Sequence, residues 1–175
     1  IAAVAPGPYR GPLPATDCAG RALSPGMVDL MVLGGFGKSI LTDDPGDLTR
    51  AYLRQGVTAC QCCSGTLSWE AMRGIGARLE ATRSRNDPEA ARLLGWYLEG
   101  PFQDPGMTGA NLAEYALTPD PDTVRRLLDE LGGICTMINV SPGVPHDTEA
   151  IRILRAAGKV VTMAHSNADA DSVHA

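Results

Sequence analysis

The sequence predicts a parallel α/β fold, in which the strands of one sheet alternate along the chain with the helices that cover it. Two observations support this prediction. Short apolar segments alternate with longer segments of helical periodicity, and glycine or proline marks many of their boundaries. The short segments are apolar throughout rather than at every second residue, which is typical of parallel strands buried on both faces. The pattern leaves two architectures open, a doubly wound open sheet and a β/α barrel.

The strands are predicted where residues with high β propensity cluster between turn signals. They comprise residues 27–33, 57–63, 93–99, 134–140 and 159–165. The third predicted strand ends on Glu99, directly before Gly100-Pro101. We expect the strand to stop there because proline cannot donate a hydrogen bond to a sheet ladder.

The helices are predicted from apolar periodicity and from capping residues. They comprise residues 47–55, 68–85, 121–131 and 147–157. Ser68 and Asp120 occupy N-cap positions, where a side-chain oxygen accepts from the amides of the first turn. Residues 168–175 have the pattern of a further helix without a stop signal, so we expect the sequence to end inside a repeat.

Composition and charge limit the function classes. Hydrophobic residues make up 44% and charged residues 20% of the 175 residues, which is ordinary for a folded domain. The net charge of −5, without a Lys/Arg cluster, argues against nucleic-acid binding. No apolar run approaches the roughly 20 residues of a membrane span, and no signal-peptide pattern is seen, so we expect no membrane association and a cytoplasmic location.

The N-terminal residues differ in composition from the rest. Residues 1–16 contain four prolines and two glycines, which favours irregular or extended backbone. We therefore divide the chain into an irregular segment, residues 1–24, and one β/α domain, residues 25–175.

The five cysteines lack the spacing of a disulfide scaffold. Cys60-Gln61-Cys62-Cys63 contains a C-x-x-C, but it lies on a predicted strand, whereas redox pairs begin helices. We expect reduced thiols buried in the core.

Glu99 and His165 close the third and fifth predicted strands. Ligands of parallel α/β proteins gather at the carboxyl ends of the strands. A carboxylate and an imidazole on that rim could coordinate a divalent metal and activate water for hydrolysis. The alternative is a surface ion pair for Glu99 and a helix cap for His165.

Several segments in the right order give the chain a resemblance to one family. They are Ser24–Leu30 with Gly34-Gly35, Leu98–Phe102, Gly109–Tyr115, Thr118–Asp120 and Val160–Ala168. From about Asp17 onward the chain resembles the N-acetylglucosamine-6-phosphate deacetylases of the amidohydrolase superfamily.

The resemblance implies a TIM-type (β/α)8 barrel, of which about the first five β/α units are present. It implies hydrolysis of the acetamide of an amino sugar phosphate with one divalent metal ion, expected to be zinc, held by Glu99 and His165. Gly109, Ala110 and Asn111 match the turn that contacts the sugar. A further histidine ligand and the catalytic aspartate are expected beyond residue 175, so these residues alone should not turn over substrate. A homodimer is an open expectation.

The sequence also departs from the family pattern. Met31 and Leu33 stand where relatives carry first-strand ligands, Tyr97 replaces a histidine, and Ser141-Pro142-Gly143 replaces Ala-Pro-Glu. His146 and His174 match no missing ligand, and both are expected to be exposed. Two alternatives therefore stay open, a non-catalytic homologue that binds sugar phosphate or serves a structural role, and an independent doubly wound domain.

Overall fold

The computed structural model describes residues 4–174 of the chain. Its strands are β1 (Met27–Val32), β2 (Gly34–Gly35), β3 (Lys38–Ser39), β4 (Val57–Ser64), β5 (Arg92–Phe102), β6 (Cys135–Val140) and β7 (Val160–Thr162). Five of them form one parallel sheet in the order β1-β4-β5-β6-β7, while β2 and β3 pair as a small antiparallel hairpin. The parallel α/β prediction is confirmed.

The strand order separates the two architectures that the sequence left open. Neighbours in the sheet follow their order along the chain, with no point at which the order reverses. A doubly wound sheet requires such a reversal. The hypothesis of an independent doubly wound domain is therefore wrong, and the sheet is curled as in a partial barrel.

The helices cover the outer face of the sheet. They are α1 (Pro45–Leu53), α2 (Trp69–Arg85), α3 (Pro121–Leu131), α4 (Asp147–Ala156) and α5 (Ala170–His174), with a 3-10 turn at Ala113–Tyr115. The predicted caps are confirmed, because Ser68 accepts from the amide of Ala71 and Asp120 from the amides of Asp122 and Thr123. The first helix begins two residues earlier than predicted, because Asp44 caps it and Pro45 occupies its first turn.

Asp44 joins two helices. Its Oδ1 accepts from the amide of Gly46 at 2.8 Å, and its carboxylate receives two hydrogen bonds from Arg85 of α2, at 2.9 and 3.0 Å. The Arg85 guanidinium and the Gly46 amide lower the pKa of Asp44 from 3.8 to about 2. The stabilisation is therefore complete above the ordinary aspartate range and is lost as the pH falls toward 2.

We expect Asp44→Ala to lower the free energy of unfolding by about 1–2 kcal/mol at neutral pH, since it removes an N-cap and a partly exposed ion pair. Asp44→Asn keeps a capping oxygen and should cost less. Urea unfolding of both variants measures the difference, which should shrink toward pH 2. Equal losses for the two variants would show that the cap contributes nothing.

Two predicted strand ends are wrong. The strand predicted to stop at Glu99 continues to Phe102, because Pro101 re-enters the ladder opposite Asn139 after a two-residue irregularity. The strand predicted to reach His165 ends at Thr162. His165 has a φ of 54°, which is left-handed rather than extended backbone.

The cysteines behave largely as predicted. All are unpaired, and Cys60, Cys62, Cys63 and Cys135 are buried. Burial raises the pKa of Cys60 to about 11 and of Cys135 to about 12, so these thiols are poor nucleophiles and metal ligands. Cys18 is the exception, since it is only half-buried and lies outside the core.

The remaining predictions on organisation have different outcomes. Residues 4–26 contain no helix or strand, and the boundary drawn at residue 24 stays a prediction. Across residues 4–174, every helix is too short or too polar to span a bilayer.

Candidate active site

Glu99 and His165 meet at the carboxyl end of the sheet. Glu99 lies near the end of β5, and His165 lies three residues after β7. Glu99 Oε1 and His165 Nε2 are 2.6 Å apart, and both side chains are less than one-fifth exposed. The structure therefore brings together two groups that are 66 positions apart in the sequence. We refer to these two side chains as the carboxylate–imidazole pair.

The backbone carbonyl of Met107 fixes the orientation of the imidazole. His165 Nδ1 is 3.0 Å from this oxygen, which can only accept a hydrogen bond. Nδ1 therefore donates to this oxygen, and Nε2 is the ring nitrogen that faces Glu99. A carbonyl or carboxylate at the other nitrogen is the usual partner of a histidine that binds a metal.

Cys63 of β4 and Tyr97 of β5 lie close enough to Glu99 to feel its charge. Cys63 is the ladder partner of Tyr97, two residues before Glu99. Thr162 donates to the Tyr97 hydroxyl at 3.0 Å, and burial raises the pKa of Tyr97. Burial and the Glu99 charge together raise the pKa of the Cys63 thiol to about 12. Tyr97 is thus a neutral, hydrogen-bonded side chain at the position where the resemblance led us to expect a histidine in relatives.

The predicted sugar-contacting turn also lies at this rim. A Cβ atom on Gly109 would stand 3.5 Å from His165 Cε1, so the absence of a side chain leaves space beside the imidazole. Asn111 Oδ1 accepts from the amide of Thr66 at 3.1 Å. Ala110 between them is exposed. The substrate-binding role of these residues stays a prediction.

The first strand supplies no ligand to the site. Met31 and Leu33 are 47% and 48% exposed and carry no hard donor atom. His146 and His174 are exposed, as expected, on α4 and α5. Within residues 4–174 no group of three His, Cys, Asp or Glu side chains could hold a metal ion. The role of Glu99 and His165 as ligands stays a prediction.

The sequence did not reveal the polar residues beneath the pair. Thr66, Gln103 and Ser141 are almost completely buried and hydrogen-bond to the backbones of Glu99 and His165. Their only sequence signal is position, because each lies just beyond or at the end of a strand.

A curled parallel β/α sheet with a carboxylate–imidazole pair at its carboxyl rim is typical of barrel-type proteins, whose ligands gather at that rim. Comparison with curated proteins then shows which enzymes the chain resembles. The chain is similar to N-acetylglucosamine-6-phosphate deacetylases, at 31% identity over 161 residues to the human protein and 30% to that of Bos taurus. The resemblance predicted from the motifs is confirmed.

Solved structures give the same result. The chain matches the Mycobacterium smegmatis N-acetyl-D-glucosamine-6-phosphate deacetylase at a TM-score of 0.74 and 28% identity, over 85% of this chain and 38% of that one; that structure is a variant in complex with N-acetyl-D-glucosamine-6-phosphate. The Thermotoga maritima deacetylase matches at a TM-score of 0.75 and 25% identity, over 86% of this chain and 39% of that one.

The match is extensive for this chain and partial for its relatives. It covers 87% of the chain but 39% of the length of the human and bovine proteins. No protein-family model matches the chain.

Proposed function

We propose that the protein is a zinc-dependent hydrolase that removes the acetyl group from N-acetylglucosamine 6-phosphate or a similar N-acyl amino sugar phosphate, within a (β/α)8 barrel. The observation that carries the proposal is the contact between Glu99 and His165 at the rim predicted to hold the metal. The named relatives support the reaction class. A cytoplasmic location and a homodimer stay predictions.

The residues of the pair fit a zinc ion. A carboxylate oxygen and an imidazole nitrogen are both ordinary zinc ligands, and the bond from Nδ1 to the Met107 carbonyl orients the ring so that Nε2 is the nitrogen that would bind the ion. Two donors bound to one tetrahedral zinc at about 2.0–2.2 Å each lie roughly 3.3–3.6 Å apart. The observed 2.6 Å between Glu99 Oε1 and His165 Nε2 would have to open by about 1 Å to admit the ion.

A bound zinc ion would polarise the acetamide carbonyl and lower the pKa of its water. The residues of this chain would position the substrate. Gly109 leaves room for the substrate beside the imidazole. Asn111 is oriented by its bond to Thr66, and its Nδ2 group donates to no atom of residues 4–174, so it can donate to a sugar hydroxyl. The general acid/base is proposed to be the family aspartate outside these residues.

The function is tested on the intact protein by measuring acetate release from N-acetylglucosamine 6-phosphate and metal content by mass spectrometry. We expect about one zinc per chain and hydrolysis that disappears after chelation and returns with zinc, since the water is activated by the metal. Hydrolysis that is unchanged after complete removal of metal would contradict the proposal.

A second candidate is a non-catalytic homologue that binds sugar phosphate or serves a structural role. The lack of donor atoms on Met31 and Leu33 favours it. In that case the intact protein binds no zinc after incubation with excess zinc, and it releases no acetate.

A further inference from the structure

Glu99 lies outside the hydrogen-bonded ladders of its own sheet. The pairing of β5 with β4 ends at Leu98, and its pairing with β6 passes from Leu98 directly to Pro101. Among the residues that the structure describes, Glu99 and Gly100 therefore have no ladder partner. A half-buried ligand residue without ladder bonds needs another source of order, because a buried carbonyl without a donor costs free energy.

Two side chains replace the missing ladder at Glu99. Gln103 Nε2 donates to the Glu99 carbonyl at 2.8 Å, and Thr66 Oγ1 lies 3.2 Å from the same oxygen. Thr66 Oγ1 also lies 2.9 Å from Gln103 Oε1, so the two side chains orient each other. Gln103 is 1% and Thr66 3% exposed, so bulk solvent does not reach either side chain.

The Thr66 hydroxyl packs so closely against Gly100 that no side chain fits at this position. Gly100 has a φ of 135°, and a Cβ atom there would lie 2.1 Å from Thr66 Oγ1. The hydroxyl therefore occupies the space that any other residue would fill.

Ser141 does the same for His165. Its hydroxyl lies 2.7 Å from the Ala164 carbonyl and 2.8 Å from the His165 carbonyl, and the residue is fully buried. His165 has left-handed backbone, which a residue with a side chain adopts only when its surroundings enforce it. The amide of Asp104 adds a bond to the His165 carbonyl at 3.3 Å.

We propose that three buried polar side chains, Gln103, Thr66 and Ser141, are positioning residues for the carboxylate–imidazole pair. They hold the backbone of each partner where the sheet does not, and so keep the two side chains in reach of one cation. The inference rests on the metal-binding role proposed above and extends it to residues that touch neither metal nor substrate.

The test compares zinc affinity with stability in the intact protein. Gln103→Met removes the amide at constant length, Ser141→Ala removes the hydroxyl, and Thr66→Val removes it at constant shape. Because outer-shell partners of metal ligands contribute about 10–100-fold in affinity, we expect zinc Kd to rise by about that factor. Thr66→Ser, which keeps a hydroxyl, should restore most of the affinity.

Thr49→Val is the matched control. Thr49 is 1% exposed and donates to the Gly46 carbonyl at 2.9 Å within α1, away from the pair. The Thr49→Val variant should lower Tm by a few degrees, about as much as the other variants do, and leave zinc affinity unchanged. Variants at Gln103 and Ser141 that lose stability but bind zinc as the wild type does would overturn the inference.

A metal-free measurement separates this inference from the proposed function. The chain has three histidines, so the ring ¹⁵N signals of His165 can be assigned by substitution. We expect Gln103→Met and Ser141→Ala to shift these signals and Thr49→Val to leave them in place. If the wild type binds no zinc, the proposed function fails, and unchanged His165 signals in both variants would overturn the positioning role as well.

Discussion

Replacing Glu99 by glutamine is expected to weaken zinc binding by the intact protein more than about 100-fold, which exceeds the loss of an outer-shell partner. Glutamine keeps the shape and the hydrogen-bonding capacity but removes the charge that faces His165 Nε2 at 2.6 Å. His165→Gln should have an effect of the same size. Acetate release should fall in parallel, because the reacting water is activated by the metal.

His146→Gln is the control for this prediction. His146 is an exposed histidine with left-handed backbone, as His165 is left-handed, and it occupies the N-cap position of α4, where its side chain makes no capping hydrogen bond. It should leave zinc content and acetate release unchanged. If Glu99→Gln and His165→Gln also retain one zinc per chain, the metal site has been assigned to the wrong residues. Competition with a chelator of known affinity measures Kd for each variant.

Replacing Trp96 by alanine is expected to lower the free energy of unfolding by about 3–5 kcal/mol, the cost of a large cavity in a packed core. Trp96 is a residue of β5, and its side chain is completely buried. Its ring lies against Gly76 of α2, where an added Cβ atom would be 3.4 Å from Cζ3. Its Nε1 donates to the buried Ser64 hydroxyl at 3.1 Å. The indole therefore joins helix, sheet and neighbouring strand.

Two variants divide this loss into its parts. Trp96→Phe keeps most of the apolar contact but leaves Ser64 without its donor, which should cost about 1–3 kcal/mol. Trp69→Phe tests a half-buried indole that stacks against Arg126 at 4.1 Å, and it should cost about 1 kcal/mol or less. Urea unfolding followed by circular dichroism gives all three values. A loss for Trp96→Ala no larger than that for Trp69→Phe would contradict the packing described here.

Local signals in the sequence were sufficient for most of the fold. Continuous apolar segments predicted the five parallel strands, and Ser68 and Asp120 marked the starts of their helices correctly. These features depend on residues within one turn or one strand, so the sequence displays them directly. The choice of Glu99 and His165 followed from a general rule about strand ends in parallel sheets. That rule needs only the order of elements.

The tertiary structure decided the features that depend on how the strands pair. A sequence pattern does not show which backbone atoms a ladder leaves unpaired, and so the irregularity at Glu99 and the extension of β5 through Pro101 were missed. Ser141 and Met107 were missed because they contact His165 across distant segments of the chain. Gln103 was missed because its hydrogen bond to the Glu99 carbonyl, four residues earlier, depends on the irregularity in the ladder. By itself the sequence determined the class of sheet and the two chemical groups at its rim. Only the folded chain brought those groups to 2.6 Å, since that distance depends on long-range pairing rather than on local preference.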